Sequence, residues 1–375
     1  MADINASHQI RKPSSKDGQH KTALTRRAFL QGTASLAFSS LIPTVGRGQI
    51  RVFESRAIFD EGLNWVSPSR ATRLCERIKR AGFNVFIPAV WHGRGTVWPS
   101  DLAPWDSANA RISGFDPLEH LLKTAKEFEL EVHPWFTIGK RSRDFFPEFA
   151  SPSADPTFNY FDESFRKFAV KLVMEVVERY PIHGINLDYV RFYAPRAREA
   201  EVRETAVTDF IRRMKDAAKA VRPDLVISVD AAPYRSSMTE LGQNSPRWAD
   251  EGLVDVVYSM QYGMHPDFEA IQRLQKTMRR PQALVVLVGN YEQVEKQVLP
   301  RNAGKVDTLL QQARSVSQGN GVGLYLYSML SDAQIEYLRR SVFRQEARPS
   351  WNLAEAQNPP ADFLPPDSPG DVKVR

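Results

Sequence analysis

Residues 184–192 of this chain read Gly-Ile-Asn-Leu-Asp-Tyr-Val-Arg-Phe, and they show a short β-rich run that follows a helical pattern. Side chains of a strand alternate between its two faces, so Asn186 and Asp188 share one face while Ile185 and Leu187 share the other. A parallel strand that is covered on both sides is normally almost entirely apolar. Two polar residues in the middle of such a strand therefore indicate a functional position.

Seven other stretches have the same character, and helical patterns separate them. The eight predicted strands are Ser55–Phe59, Asn84–Val90, Leu130–Thr137, Gly184–Val190, Leu225–Asp230, Val254–Gln261, Leu284–Gly289 and Gly323–Ser328. Eight strand–helix units over about 295 residues are typical of one α/β architecture, the (β/α)8 TIM barrel, which we predict here. A doubly wound open sheet is the alternative, but no Gly-rich nucleotide turn follows the first strand.

The fifth predicted strand repeats the polar design of the fourth, because Ser228 and Asp230 share one of its faces. Neighbouring strands lie about 4.8 Å apart, so Asp188 and Asp230 are expected within several ångströms of each other at the mouth of the barrel. Two carboxyls at that range can separate their pKa values and act as acid and base. The alternative is that each Asp caps a helix or accepts hydrogen bonds from amides at the mouth.

Aromatic and polar side chains at other strand ends suit a carbohydrate cleft, since aromatic faces pack on sugar rings while polar groups bind the hydroxyls. The predicted substrate-binding residues are Trp91, His92, His133, Trp135, Asn186, Tyr189, Arg191, Gln261, Tyr262 and Glu292. Alternatives remain for some of them: His133 is equally well explained as a structural histidine, and Glu292 as the start of the next helix. Trp98 and Trp105 either line the cleft or pack a long loop. Asp60 and Glu61, which follow the first strand, are weaker candidates.

Several classes of chemistry lack their sequence signatures. There is no Walker phosphate loop, no Gly-x-Ser-x-Gly elbow and no His-Glu-x-x-His zinc helix. The one cysteine, Cys75, excludes an internal disulfide framework and a Cys-rich metal site. The seven histidines are scattered, which argues against a metal-dependent deacetylase. We therefore predict no metal and no other cofactor.

The chain resembles bacterial glycosyl-hydrolase-like proteins of the family 10 type. Three parts of the sequence carry the resemblance, namely 84–105 with its Pro99-Ser100 and Trp105, 115–136 with its Phe-Asp-Pro-Leu start, and Gly184–Phe192. The last of these and residues 227–230 also resemble a sister glycosyl-hydrolase-like group. The resemblance implies a (β/α)8 barrel that acts on polysaccharide or cell-wall glycan, with Asp188 as the favoured catalytic position.

The amino-terminal segment 1–46 is typical of an export signal. Its Thr25-Arg26-Arg27-Ala28-Phe29-Leu30-Gln31 stretch precedes a mildly apolar run and small residues, a pattern of the twin-arginine type. The apolar run is too short for a membrane span. Segment 1–46 holds six basic and two acidic residues, so cleavage there would lower the net charge from +6 to +2. The basic balance therefore belongs mainly to the signal and does not indicate nucleic-acid binding.

The predicted organisation has three parts: a signal peptide over 1–46, a glycosyl-hydrolase-like barrel over 51–345 and a Pro-rich flexible tail over 348–375. We predict a periplasmic or secreted glycoside hydrolase that cleaves O-glycosyl bonds in a polysaccharide or peptidoglycan-type glycan. The predicted partners are that glycan and the twin-arginine translocase during export, with no stable membrane anchor. The alternative from another class is a catalytically inactive, glycan-binding barrel protein of the envelope.

Overall fold

The computed structural model describes residues 52–107, 114–152, 155–193, 200–318 and 320–352, and eight parallel strands close into a barrel within these ranges. The strands are β1 (Ser55–Asp60), β2 (Val85–Trp91), β3 (Glu131–Val132 and Trp135–Thr137), β4 (Gly184–Asp188), β5 (Val226–Ala231), β6 (Val256–Gln261), β7 (Leu284–Gly289) and β8 (Gly321–Tyr325). Each strand pairs with its neighbours in chain order, and β8 pairs with β1 to close the ring. The predicted TIM barrel is confirmed.

Most strands differ from their prediction by one or two residues at an end, and two differ more. β3 is interrupted at residues 133–134, and its second part pairs with β2 and β4 after a shift in register. β8 begins at Gly321 and ends at Tyr325, and a 3-10 turn over Tyr327–Met329 occupies the residues predicted to continue it. The interruption of β3 includes Pro134, which has no backbone N–H to donate to a neighbouring strand. The difference in β8 lies at a strand end, where local turn geometry competes with strand pairing.

Helices surround the barrel. Those in the described ranges are α1 (Pro68–Ala81), α2 (Pro117–Glu127), α3 (Glu163–Arg179), α4 (Ala200–Val221), α5 (Arg235–Thr239), α6 (Ser245–Asp250), α7 (Phe268–Gln275), α8 (Ala303–Val316) and α9 (Asp332–Arg340). Asp116 caps α2, because its Oδ1 accepts hydrogen bonds from the backbone N–H groups of Leu118 and Glu119. Ser331 caps α9 in the same way through the N–H of Gln334.

Two hydrophobic layers explain why the strands are apolar on both faces. The barrel interior holds side chains such as Phe59, Ile87 and Leu287, whereas Ile185 and Leu187 lie in the larger layer between strands and helices. Alternation along β4 therefore directs Asn186 and Asp188 into the barrel interior, as predicted. These two polar side chains lie beside Ser228 and Asp230 of β5, in an interior layer that also holds aromatic and aliphatic groups.

Residues from both ends of the described chain meet beneath the barrel, at the amino-terminal ends of its strands. Val52–Phe53 pairs in parallel with Ala347–Arg348, and the indole Nε1 of Trp351 donates a 2.8 Å hydrogen bond to Glu131. Arg348 and Trp351 of the predicted tail thus contact the rest of the described chain. The rest of that tail, residues 353–375, and the predicted signal over 1–46 lie outside the described residues.

Candidate active site

Two buried acids occupy the carboxyl-terminal mouth of the barrel. β4 and β5 pair with Asn186 opposite Ser228 and Leu187 opposite Val229, so Asp188 and Asp230 follow on the same interior face. Asp188 is 5% exposed and Asp230 is 1% exposed. The structure therefore brings the two predicted acids into one site, and Asp188 lies nearer to solvent.

Asn186 connects the two strands beneath Asp188. Its Nδ2 group donates hydrogen bonds of 3.1 Å to Oγ of Ser228 and to Oδ1 of Asp230. Ser228 in turn donates to the backbone carbonyl of Ile185. The side chain of Gln243 binds the backbone at the end of β5. Its Oε1 accepts a hydrogen bond from the N–H of Ala232, and its Nε2 donates one to the carbonyl of Asp230. These contacts hold the Asp230 carboxyl in a fixed position that faces Asp188.

A tight turn after β4 positions Asp188. Tyr189 has a φ of +52°, a left-handed conformation that is uncommon for a tyrosine. In this turn the N–H of Tyr189 donates a 2.6 Å hydrogen bond to Oδ1 of Asp188, and the Tyr189 carbonyl accepts from the hydroxyl of Tyr160. Gly139 approaches the same carbonyl so closely that an added Cβ would lie 2.4 Å from it. Strain of this kind is concentrated at functional sites.

Burial raises the pKa of both acids. For Asp230, burial is the main cause and the negative charge of Asp188 adds to it, so the pKa is well above its usual range. For Asp188, burial raises the pKa, while the guanidinium of Arg191, the N–H of Tyr189 and the Trp135 indole oppose that effect. The pair therefore retains a proton at pH values where an exposed aspartic acid is ionised. General acid catalysis requires a retained proton of this kind on a carboxyl that the substrate can reach.

Arg191 and Tyr189 form the rim above Asp188. Nη1 of Arg191 lies 3.9 Å from Oδ1 of Asp188, and its guanidinium carbon is 4.3 Å from the centre of the Tyr189 ring. Lys140 lies 5.5 Å from the same ring. The predicted binding residues Tyr189 and Arg191 thus lie beside the acid pair. The cationic side chains of Arg191 and Lys140 flank the entrance.

An aromatic wall faces the acid pair from the other strands. The ring of Trp135 lies edge to face with the rings of Phe59 and His92, with 5.7 Å between ring centres in each case. Tyr262 stacks on Tyr325 with ring centres 4.5 Å apart. His92 is held by contacts of 3.2 Å to Thr137 and to the carbonyl of Glu61. The predicted residues His92, Trp135 and Tyr262 therefore belong to one wall.

Four predicted binding residues are not brought to the interior of the mouth. Trp91 packs against Phe145 on the helix side of β2. His133 is fully buried at the opposite end of the barrel, where an added Cβ at Gly184 would touch its ring and where it lies 5.3 Å from the ring of Trp351. Because β3 is interrupted at residues 133–134, His133 and Trp135 do not share the face of one continuous strand.

The other two of these residues stabilise loops. The Gln261 side chain points away from the barrel interior and its Oε1 accepts a 2.6 Å hydrogen bond from the N–H of Asp267. Glu292 forms a 3.5 Å ion pair with Lys305. It was also predicted to start a helix, which is wrong: it lies in a hairpin of Tyr291–Val294 and Gln297–Pro300, and α8 begins later.

The structure also answers the open question on Trp98. Its indole is fully buried and donates a 3.0 Å hydrogen bond to Glu175, so it packs the loop after β2. Trp105 is half-buried against the helix-side core. Packing against the body of the protein therefore accounts for both residues.

Tyr325 is a residue of the mouth that sequence reasoning missed. Its hydroxyl donates a 2.6 Å hydrogen bond to Oε2 of Glu61, which was ranked among the weaker candidates. The sequence indicates only the positions of these residues. Tyr325 lies within the eighth predicted strand, and Glu61 follows the carboxyl end of the first. Only the closure of the barrel shows that the two side chains meet.

The fold and the site together define a (β/α)8 barrel with a buried acid pair at its carboxyl-terminal mouth. Residues 58–151 match the family described as Glycosyl hydrolase-like 10. The matched range includes residues 84–105 and 115–136, two of the three parts that carry the resemblance. Glycosyl hydrolase DigH of Escherichia coli K12 is 23% identical over 246 residues, with 50% of this chain and 56% of that protein covered. The chain thus spans about half the length of the curated relatives it matches.

Solved structures share the barrel. The glycoside hydrolase domain of PgaB (BpsB) from Bordetella bronchiseptica superimposes with a TM-score of 0.59 at 12% identity, covering 76% of this chain and 98% of that domain. The C-terminal domain of a putative chitinase from Desulfitobacterium hafniense DCB-2 gives 0.57 at 10% identity, with 78% and 99% covered. At these identities the comparison establishes the fold.

Two further properties concern only the described ranges. No group of three or more His, Cys, Asp or Glu side chains there is arranged to hold a metal ion. No helix in the same ranges is long and apolar enough to cross a membrane.

Proposed function

We propose that this protein is a glycoside hydrolase that cleaves a polysaccharide or cell-wall glycan without a metal cofactor. The observation that carries the proposal is the acid pair at the mouth, where burial and mutual repulsion retain a proton between Asp188 and Asp230. Hydrolysis of a glycosidic bond needs such a proton for the leaving oxygen. The similarity of residues 58–151 to a glycosyl-hydrolase-like family supports the same class of reaction.

In this proposal Asp188 is the general acid. It is the more exposed member of the pair, and its carboxyl lies beside the Tyr189 and Arg191 rim, where a sugar can approach. Asp230 is held by Asn186 below it and supports the protonated state of the pair. The aromatic wall of Trp135, Tyr262 and Tyr325 offers ring faces and edges for the apolar side of a sugar.

The test compares the wild-type chain with Asp188→Asn on purified cell-wall glycans and common polysaccharides, using new reducing ends and mass spectrometry. We expect the substitution to lower kcat about 100-fold to 10,000-fold, because it removes the transferable proton. Asp224→Asn is the matched control, since Asp224 is exposed and precedes β5 at the opposite end of the barrel. Unchanged cleavage by Asp188→Asn would refute the assignment. Glycan binding without new reducing ends would favour the inactive binding protein.

We also propose that the chain is exported by the twin-arginine translocase and acts in the periplasm or outside the cell. The support is the Arg26-Arg27-Ala28-Phe29-Leu30 sequence with the apolar run that follows it. Changing Arg26 and Arg27 together to Lys should retain the full-length protein in the cytoplasm, as followed by fractionation and immunoblotting. Normal export of that variant would contradict the proposal.

A further inference from the structure

The acid pair alone does not provide both carboxyl functions of a glycosidase. One carboxyl must protonate the leaving oxygen, and a second must act on the opposite face of the sugar, either directly or through water. Asp230 is 1% exposed, and Asn186 binds its Oδ1 from the interior. A carboxyl enclosed in this way can share a proton with Asp188, but it presents no free face to a sugar that lies above Asp188.

Glu61 is a carboxylate on another side of the mouth. It directly follows β1, three strand positions from β4 around the closed barrel, and its side chain is exposed. Oε2 accepts the 2.6 Å hydrogen bond from the hydroxyl of Tyr325, and its backbone carbonyl contacts Nε2 of His92. Side chain and backbone are thus both anchored, although the carboxylate remains open to solvent.

Tyr325 connects this carboxylate to the aromatic wall of the mouth. Its ring stacks on Tyr262 and lies 6.3 Å from Trp135, so its orientation is determined by packing. Burial, with the charge of Glu61 as the next cause, raises the pKa of the Tyr325 hydroxyl, and the charge of Asp188 contributes in the same direction. The hydroxyl therefore stays protonated as a donor to Glu61. Glu61 follows the carboxyl-terminal end of β1 and Asp188 ends β4, so both carboxyls lie at the carboxyl-terminal mouth of the barrel.

We propose that Glu61 is the second catalytic carboxylate of the reaction, which rests on the glycoside hydrolase function proposed above. Glu61 accepts a proton from a water molecule as the water oxygen bonds to the anomeric carbon. The bond from that carbon to the leaving oxygen breaks, and the leaving oxygen takes the proton of Asp188. The products are the two shortened glycans, with an inverted anomeric centre. Tyr325 is a positioning residue for Glu61.

The experiment compares wild type, Glu61→Gln, Asp188→Asn and Glu295→Gln on the glycan that the wild type cleaves. Glu295→Gln is the matched control, because Glu295 is an exposed residue at the turn of the Tyr291–Pro300 hairpin. We expect Glu61→Gln to lower kcat at least 100-fold with an unchanged melting temperature, and the control to retain wild-type kcat. Added azide should restore turnover of Glu61→Gln as a glycosyl azide, since azide attacks without a general base. It should not restore Asp188→Asn.

Two outcomes separate this inference from the proposed function. No cleavage by the wild type would refute the function itself, and full cleavage by Asp188→Asn would refute Asp188 as its general acid. If Asp188→Asn is inactive while Glu61→Gln keeps its activity, or loses it without azide rescue, only the role of Glu61 is refuted. Retention at the anomeric centre, seen by NMR of the first product, would also overturn it. Tyr325→Phe gives a second measurement: we expect about a tenfold loss in kcat with KM unchanged.

Discussion

Nδ2 of Asn186 donates a 3.1 Å hydrogen bond to Oδ1 of Asp230, which joins two neighbouring strands inside the barrel. The same Nδ2 group binds Oγ of Ser228, so one amide satisfies two acceptors in a layer without exposure to solvent. A buried acceptor that loses its donor bears the full cost of its desolvation. The Asn186 amide is therefore a structural support as well as part of the site.

Replacement of Asn186 by Ala should lower the free energy of unfolding by about 1–3 kcal/mol, because Asp230 and Ser228 lose their shared donor and a small void forms. Urea unfolding at pH 7, followed by circular dichroism, measures the change. Gln297→Ala, on the exposed hairpin strand, serves as the control and should stay within about 0.5 kcal/mol of wild type. Equal stabilities of the two variants would contradict a supporting role for Asn186.

Arg191→Gln should shift the alkaline limb of the pH–rate profile upward. Asp188 must be protonated to act as an acid, so activity is lost as pH rises through its pKa in the folded enzyme. Burial raises that pKa, and the charge of Arg191 lowers it, so removal of the charge allows the pKa to rise further. Initial rates between pH 4 and 9 give the limb. Arg344→Gln, an exposed change after α9, should leave it in place; a downward shift in Arg191→Gln would contradict the assignment.

Asp60→Asn should remove the decrease in the free energy of unfolding that ionisation of Asp60 causes in the wild type as pH rises. Burial raises the pKa of Asp60 from 3.8 to about 6, although Asn64 donates to its Oδ1. Between about pH 4 and 6 the folded state keeps a proton that the unfolded chain has released, so the wild type loses stability as pH increases. The loss attributable to Asp60 is about 3 kcal/mol by pH 7.

Urea titrations of wild type and Asp60→Asn at pH 4, 5, 6 and 7 test this expectation. The difference in stability between the two should grow in favour of the variant over that range. The control is Asp332→Asn, whose side chain is largely exposed and paired with Arg77, and whose pKa is lowered. A constant difference between wild type and Asp60→Asn would rule out the raised pKa.

Trp351→Ala should destabilise the barrel by about 2 kcal/mol without loss of kcat on the cleaved glycan. The Trp351 ring packs near His133 and its Nε1 binds Glu131, at the end of the barrel opposite the acid pair. Thermal unfolding and steady-state rates separate the two effects. Tyr337→Ala provides the comparison, since Tyr337 is 47% exposed on α9 and its loss should change stability little. A stable but inactive Trp351→Ala would link this end of the barrel to the site.

The sequence by itself determined the barrel and its acid pair, because both follow from local rules. Strand and helix periodicity depends on neighbouring residues, and alternation along residues 184–188 is enough to direct Asn186 and Asp188 to one face. The parallel pairing of consecutive strands in a barrel then brings Asp230 beside Asp188. Even the cap of α2 at Asp116 could be predicted, since it involves amides only two and three residues away.

Tertiary structure alone decided which other candidates share the site. His133 and Trp135 are two residues apart, yet the interruption of β3 leaves His133 at the far end of the barrel, against Trp351 from the other end of the chain. Glu61 and Tyr325 are separated by 264 residues, and they meet only because β8 pairs with β1 when the barrel closes. The burial, pKa and hydrogen-bond partners of these side chains depend on contacts between distant parts of the chain. Periodicity along the chain does not predict such contacts.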